Sequence, residues 1–140
     1  MIVLDTSVLV YAVGDAHPLK VPCQGLIGLI TQGALEATTT PEVIQEFVHV
    51  RSRRRSRENA VGFARDFAGL LQPLTLVEDT DLRAGLEIFE QVAEIGSFDA
   101  VLAAVARRIG ATRLVSADRG FGSVLGLAWE EPDAFWERVR

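Results

Sequence analysis

Cysteine is almost absent: Cys23 is the only one in 140 residues. A lone thiol excludes an internal disulfide and a cysteine-cluster metal site, and it fits a reducing compartment. Histidine is nearly as scarce. His17, His49 and Cys23 stand in no ligand-like spacing, so the nitrogen and sulfur donors that zinc favours are missing. No stretch approaches the roughly 18 uncharged apolar residues of a membrane span. The apolar opening carries Asp5 and no basic leader, which argues against a signal peptide. Internal repeats and linkers are also lacking, and the only low-complexity stretch is one arginine run. There is no G-x-S-x-G elbow and no cysteine motif to supply a nucleophile. The expectation is a soluble, cytoplasmic chain with no membrane segment.

What is present is the composition of a packed core: 49% hydrophobic and 24% charged residues. The length suits a single domain over residues 1–140, and such a domain buries about two-thirds of its unfolded surface. A net charge of −5 argues mildly against nonspecific nucleic-acid binding. The charge is nevertheless polarised, because five of the fourteen basic residues crowd into "RSRRRSR" (Arg51, Arg53, Arg54, Arg55, Arg57).

Strand-like runs occur at Ile2 to Leu4, Leu35 to Thr40, Leu74 to Val77 and Arg113 to Ala117, with a weaker one at Gly126 to Trp129. Between them lie stretches long enough for one or two helices each. Pro41 suits the first position of a helix, and Val43, Phe47 and Val50 follow at helical spacing. A second helix is expected from Glu58 to Leu71. A third is expected from a capping Asp79 to Gly96, and a fourth from Ser97 to Gly110 with Arg107 and Arg108 in its last turn. Strands alternating with helices indicate a mainly parallel sheet covered on both faces. A first strand in the middle of such a sheet is buried on both sides, which explains the unbroken "IVL".

In open parallel sheets the ligand crevice lies outside the carboxyl ends of the strands. Asp5 follows the first strand there, and Asp118 follows "LVSA" there. Asp99 falls in the first turn of the helix from Ser97, and Glu46 about one and a half turns into the helix from Pro41. If the four acids converge, two like charges about 4 Å apart repel by roughly 4 kcal/mol at an effective dielectric of about 20. Such a cluster must take up protons or hold a cation. An all-carboxylate shell suits Mg²⁺ or Mn²⁺. A metal held this way can activate water for in-line attack on a phosphodiester, which is hydrolytic nuclease chemistry.

Taken together, "VLDTSVLVYA", the acid in "TPEVIQEF", "FDAVLAAVA" and "LVSADRGF" resemble, in order and spacing, the PIN-domain family, and within it the single-domain toxin ribonucleases of the VapC type. The resemblance spans nearly the whole chain. It implies a three-layer α/β/α sandwich around a central, mainly parallel sheet. It also implies Mg²⁺-dependent cleavage of RNA, a cognate antitoxin partner and a homodimer. Residue by residue, Asp5, Glu46, Asp99 and Asp118 match the family's acidic positions, with Asp5, Asp99 and Asp118 as the metal-holding set. Thr6, Ser7 and Ser116 match supporting hydroxyl positions. One departure is Gly120, where many relatives carry a further acid, which bears on a second tightly held metal.

Plainer readings stand beside these. Each acid alone could be a cap or a solvated charge, and Glu42 shares a helix with Glu46. The run containing Arg53, Arg54 and Arg55 reads either as a solvated helix end or as a grip on RNA phosphates, with Arg53 on the Glu46 face if that helix continues. "GFGSVLG" departs from the dinucleotide fingerprint and reads as turn glycines. Trp129, Phe135 and Trp136 read as packing and not as base-stacking platforms. Two rivals to the nuclease are a noncatalytic scaffold of the same fold that binds RNA or a partner protein, and a phosphotransfer domain. "DTS" lacks the second acid of a D-x-D phosphatase signature.

Overall fold

A computed structural model describes residues 1–140. The strands are β1 (Ile2–Leu4), β2 (Ala37–Thr38), β3 (Arg113–Val115) and β4 (Trp129–Glu130). The helices are α1 (Thr6–Val13), α2 (Lys20–Thr31), α3 (Pro41–Ser52), α4 (Arg57–Leu70), α5 (Asp79–Gln91), α6 (Ser97–Arg108) and α7 (Pro132–Val139), with a 3₁₀ turn at Arg119–Ser123.

The four strands form one parallel sheet in the order β2-β1-β3-β4. Ile2 stands opposite both Ala37 and Arg113, so β1 is central and every strand ends on the same edge. Ile2, Val3 and Leu4 are almost wholly buried, as the unbroken apolar run requires. The β1-to-β2 connection moves one way across the sheet, while β2-to-β3 and β3-to-β4 move the other way. Right-handed crossovers of opposite direction place their helices on opposite faces. Here α1, α2 and α7 pack together, the α3/α4 hairpin leans on α1, and α5 and α6 form a separate hairpin. The result is the expected three-layer α/β/α sandwich.

Local signals set most boundaries. Asp5 caps α1, Thr40 caps α3 ahead of Pro41, and Ser56 caps α4. The α5/α6 approach is close because residue 85 is glycine: a Cβ there would lie 2.7 Å from the Cα of Val101. The hairpin is clamped by Arg108, whose guanidinium donates twice to buried Asp81 at 2.8 and 2.9 Å.

Three expectations need correction. Leu74 to Val77 is not a strand. Pro73 brings no donor, Leu76 is 69% exposed, and the segment makes a single backbone bond to the sheet edge, Thr75 N–H to the Thr39 carbonyl. The third helix stops at Gln91 and not at Gly96, because Val92 turns extended, Ile95 is drawn into the core and Gly96 caps α6 instead. The weak last strand lies at Trp129–Glu130, since Gly126 adopts a left-handed turn with φ of 73°. No helix is long and apolar enough to cross a membrane.

Candidate active site

Asp5 is the single residue between β1 and α1, and it is only 5% exposed. Its Oδ2 accepts from the Ser7 backbone N–H, the Ser7 hydroxyl at 2.9 Å and the Ser116 hydroxyl at 2.6 Å. Each of those hydroxyls also accepts a backbone N–H from the segment leaving β3: Ala117 to Ser7 at 3.1 Å, and Asp118 to Ser116 at 3.0 Å. Two serines from different strand ends thus lock Asp5 to the chain that carries Asp118. Trp129 adds a strut from β4, its indole N–H donating to the Ser116 carbonyl at 3.0 Å. All the protein donors converge on Oδ2, and Oδ1 accepts none.

Asp118 caps the 3₁₀ turn, its Oδ1 accepting from the Gly120 N–H at 2.8 Å. Gly120 packs so tightly that a Cβ would collide with the Glu94 carbonyl oxygen, so no acid fits at this position. Asp99 sits in the first turn of α6, half-buried, and its carboxyl is pushed up to about 8. Burial is the main cause, followed by the charge of Asp5, a hydrogen bond and charge from Asp118, and the charge of Glu46. Glu46, in the second turn of α3, lies largely open to solvent, and its carboxyl is raised by partial desolvation and by the charge of Asp5. Glu46 is therefore the acid of α3 that senses the others.

The structure thus brings all four acids into one electrostatic neighbourhood at the carboxyl edge of the sheet. No three of them close around one point as a preformed metal cage. The donor set nonetheless fits a hard cation, since it offers carboxylates and hydroxyls with no thiolate or imidazole. A second observation agrees: Thr6 Oγ1 is the one buried side-chain polar atom with no hydrogen-bond partner. A buried hydroxyl beside Glu46 that lacks a partner marks a place where a further polar group is expected.

Other candidates fall elsewhere. His17 stacks on Tyr11 at 4.3 Å and accepts the Leu19 N–H, so it serves a turn. His49 lies exposed on α3. Helix α3 ends at Ser52, so Arg53 does not continue the Glu46 face. Arg53, Arg54 and Arg55 instead occupy the exposed α3/α4 turn, where Arg55 pairs with Asp15 at 2.9 Å. Arg51 is structural: it is buried over the Phe63 ring and donates to Asn59 and to the Val13 carbonyl. Phe135 is buried and Trp136 packs on Gly25, as expected of packing residues. The strut from Trp129 was not foreseen, because nothing in its local sequence points back to Ser116.

The PIN domain matches residues 2–126 of this chain. The chain belongs to the PIN family. This PIN domain is 49% identical over 138 residues to Ribonuclease VapC7 of Mycobacterium tuberculosis, covering 96% of this chain and 93% of that protein. It is 32% identical over 128 residues to Ribonuclease VapC13 of the same organism, covering 91% and 97%. Among solved structures it is similar to M. tuberculosis VapC20, a sarcin-ricin loop cleaving toxin, with a TM-score of 0.74 at 18% identity over 88% of this chain and 94% of that one. It is also similar to VapBC2 from Rickettsia felis bound to a DNA fragment of its promoter, with a TM-score of 0.72 at 20% identity over 94% and 98%. At those identities the structural likeness shows the fold, and the PIN fold is the one described above.

Proposed function

We propose that this PIN domain is a divalent-metal-dependent endoribonuclease, the toxin of a toxin–antitoxin pair, acting in the cytoplasm on RNA. The supporting observation is the double-serine lock that fixes Asp5 to the Asp118 segment beside Asp99 and Glu46. A catalytically idle scaffold has no need to hold a buried carboxylate with one oxygen saturated by donors and the other left free. The relatives named ribonucleases cover nearly the whole chain and agree with this reading.

Asp5, Asp99 and Asp118 would hold Mg²⁺ or Mn²⁺, which when bound supplies positive charge against a scissile phosphate and makes water more acidic. The chain's own groups do the rest. Glu46, raised above an ordinary glutamate, is the better proton acceptor for an attacking water. Water adds its oxygen to phosphorus as Glu46 takes one of its protons, the bond to the leaving ribose oxygen breaks, and a proton from solvent completes the ribose hydroxyl. Thr6 Oγ1 is free to donate to the water or to a phosphate oxygen. Ser7 and Ser116 act as positioning residues through Asp5.

An antitoxin partner and a homodimer belong to the same proposal. They are supported by the VapBC complex among the structural neighbours and by an exposed apolar stripe on α5, Leu82, Leu86 and Phe89. The deciding experiment incubates purified protein with total RNA, with Mg²⁺ or with chelator, and maps the cut ends. Asp5→Asn keeps a side-chain oxygen to cap α1 but removes the charge, so it should abolish cleavage with little change in melting temperature. Full activity in that variant, or cutting that persists in chelator, would refute the assignment.

A further inference from the structure

The aromatic residues of this chain are mostly spent on packing: Phe47, Phe67, Phe121 and Phe135 are buried, and Trp129 and Trp136 are half-covered. Phe89 on α5 and Phe98 are exposed, and Phe98, at 80%, is the most open aromatic in the molecule. It joins no aromatic pair and lies under no guanidinium. Its place is specific. Phe98 is the second residue of α6, immediately before Asp99. Successive residues on a helix point roughly 100° apart. Asp99 is half-buried, while Phe98, its neighbour in the first turn of α6, faces solvent beside it.

An apolar ring left in water beside a charged site needs a partner that is flat, apolar on its face, and attached to something anionic. A nucleobase fits that description, and stacking on an aromatic tolerates any base identity. We infer that Phe98 is the base-stacking residue of the site, holding the base of a nucleotide next to the scissile phosphate so that the phosphate meets Asp5, Asp99 and Asp118. This rests on the ribonuclease reading, and the ring needs a base whose face is free of a duplex neighbour.

The test uses the full chain. In an Asp5→Asn background, which separates binding from cutting, a short single-stranded RNA carrying the mapped cut site is titrated by fluorescence anisotropy. Adding Phe98→Ala should weaken binding about tenfold, within the range typical of removing one stack. Phe98→Trp should bind within about threefold of the parent, and Phe98→Leu, equally apolar but without a ring face, should not rescue. In the active background the alanine variant should raise KM by a similar factor while kcat changes less than about threefold. Mn²⁺ affinity by calorimetry should be unchanged.

Unchanged RNA binding in Phe98→Ala overturns the inference while leaving the nuclease assignment standing. So does full rescue by leucine. A variant whose sedimentation changes while its RNA affinity does not would assign Phe98 to a protein contact and equally overturn it. A wild-type protein that neither binds nor cuts RNA overturns both readings together.

Discussion

Ser116→Ala is the sharpest probe of how the acids are held. Ser116 is wholly buried, and its hydroxyl donates to Asp5 Oδ2 at 2.6 Å while accepting the Asp118 N–H at 3.0 Å. Alanine fits the space but deletes one hydrogen bond to a carboxylate, worth about 1.5–3 kcal/mol, and one neutral bond worth about 1 kcal/mol. The Asp118 N–H is left without its partner, while Asp5 keeps the Ser7 hydroxyl, so the net loss should be about 2–4 kcal/mol. For a domain of this length that lowers the melting temperature by roughly 6–15 °C. The catalytic cost is separate. Ser116 ties the Asp5 carboxylate to the backbone of Asp118, and partners that orient metal ligands typically contribute about 10–100-fold in affinity or activity. The assay is thermal melting beside cleavage of a fluorogenic RNA at a temperature where the variant is fully folded. A variant that melts early yet cuts at the wild-type rate would show that the serine lock serves the fold alone. A variant unchanged in both would refute the geometry.

Three further outcomes follow. The Asp99 carboxyl, ordinarily near 3.8, is pushed up to about 8, so between those values the folded protein holds a proton that the unfolded chain has lost. Metal-free stability should therefore fall as pH rises across that window. Mg²⁺ should raise the melting temperature more at pH 8 than at pH 5, with close to one proton released per ion at neutral pH, as read by calorimetry in two buffers. Equal Mg²⁺ effects at both pH values would contradict this. Gly120→Ala drives a methyl into the Glu94 carbonyl and should cost about 1–3 kcal/mol in a melt, with no gain in metal binding; a neutral melt would contradict the packing. Replacing Arg53, Arg54 and Arg55 with alanine should reduce the log–log salt slope of RNA binding by about 0.7 for each phosphate that is no longer neutralised, without altering Mg²⁺ affinity. An unchanged slope would return those arginines to the role of a solvated turn.

Where the chain's local chemistry decides the outcome, the sequence already shows it. The buried β1, the Pro41 start of α3, Ser97 at the start of α6 and the placing of Asp5 and Asp118 just after their strands are all visible from neighbours a few residues away. Leu74 to Val77 has the composition of a strand, but strand formation needs a partner edge, and Pro73 and exposed Leu76 show that none is engaged. The end of α5 depends on Ile95 finding the core, which no cap announces. The serine lock was legible only as a set of hydroxyl positions carried by family resemblance. Its geometry was hidden because Ser116 and Asp5 lie 111 residues apart. Arg51 shows the same limit in reverse: it looks like one member of a basic run, yet Val13 and Phe63 make it an internal brace.

A strand that ends at Leu4 and a helix that begins at Thr6 leave Asp5 no loop to move in. Its carboxylate inherits its coordinates from both elements at once, and inserting one residue there would shift it by about 3.3 Å along the strand direction and turn it to the opposite face. Length variation in proteins built this way has to be absorbed away from that junction, in connections that do not join β1 directly to α1.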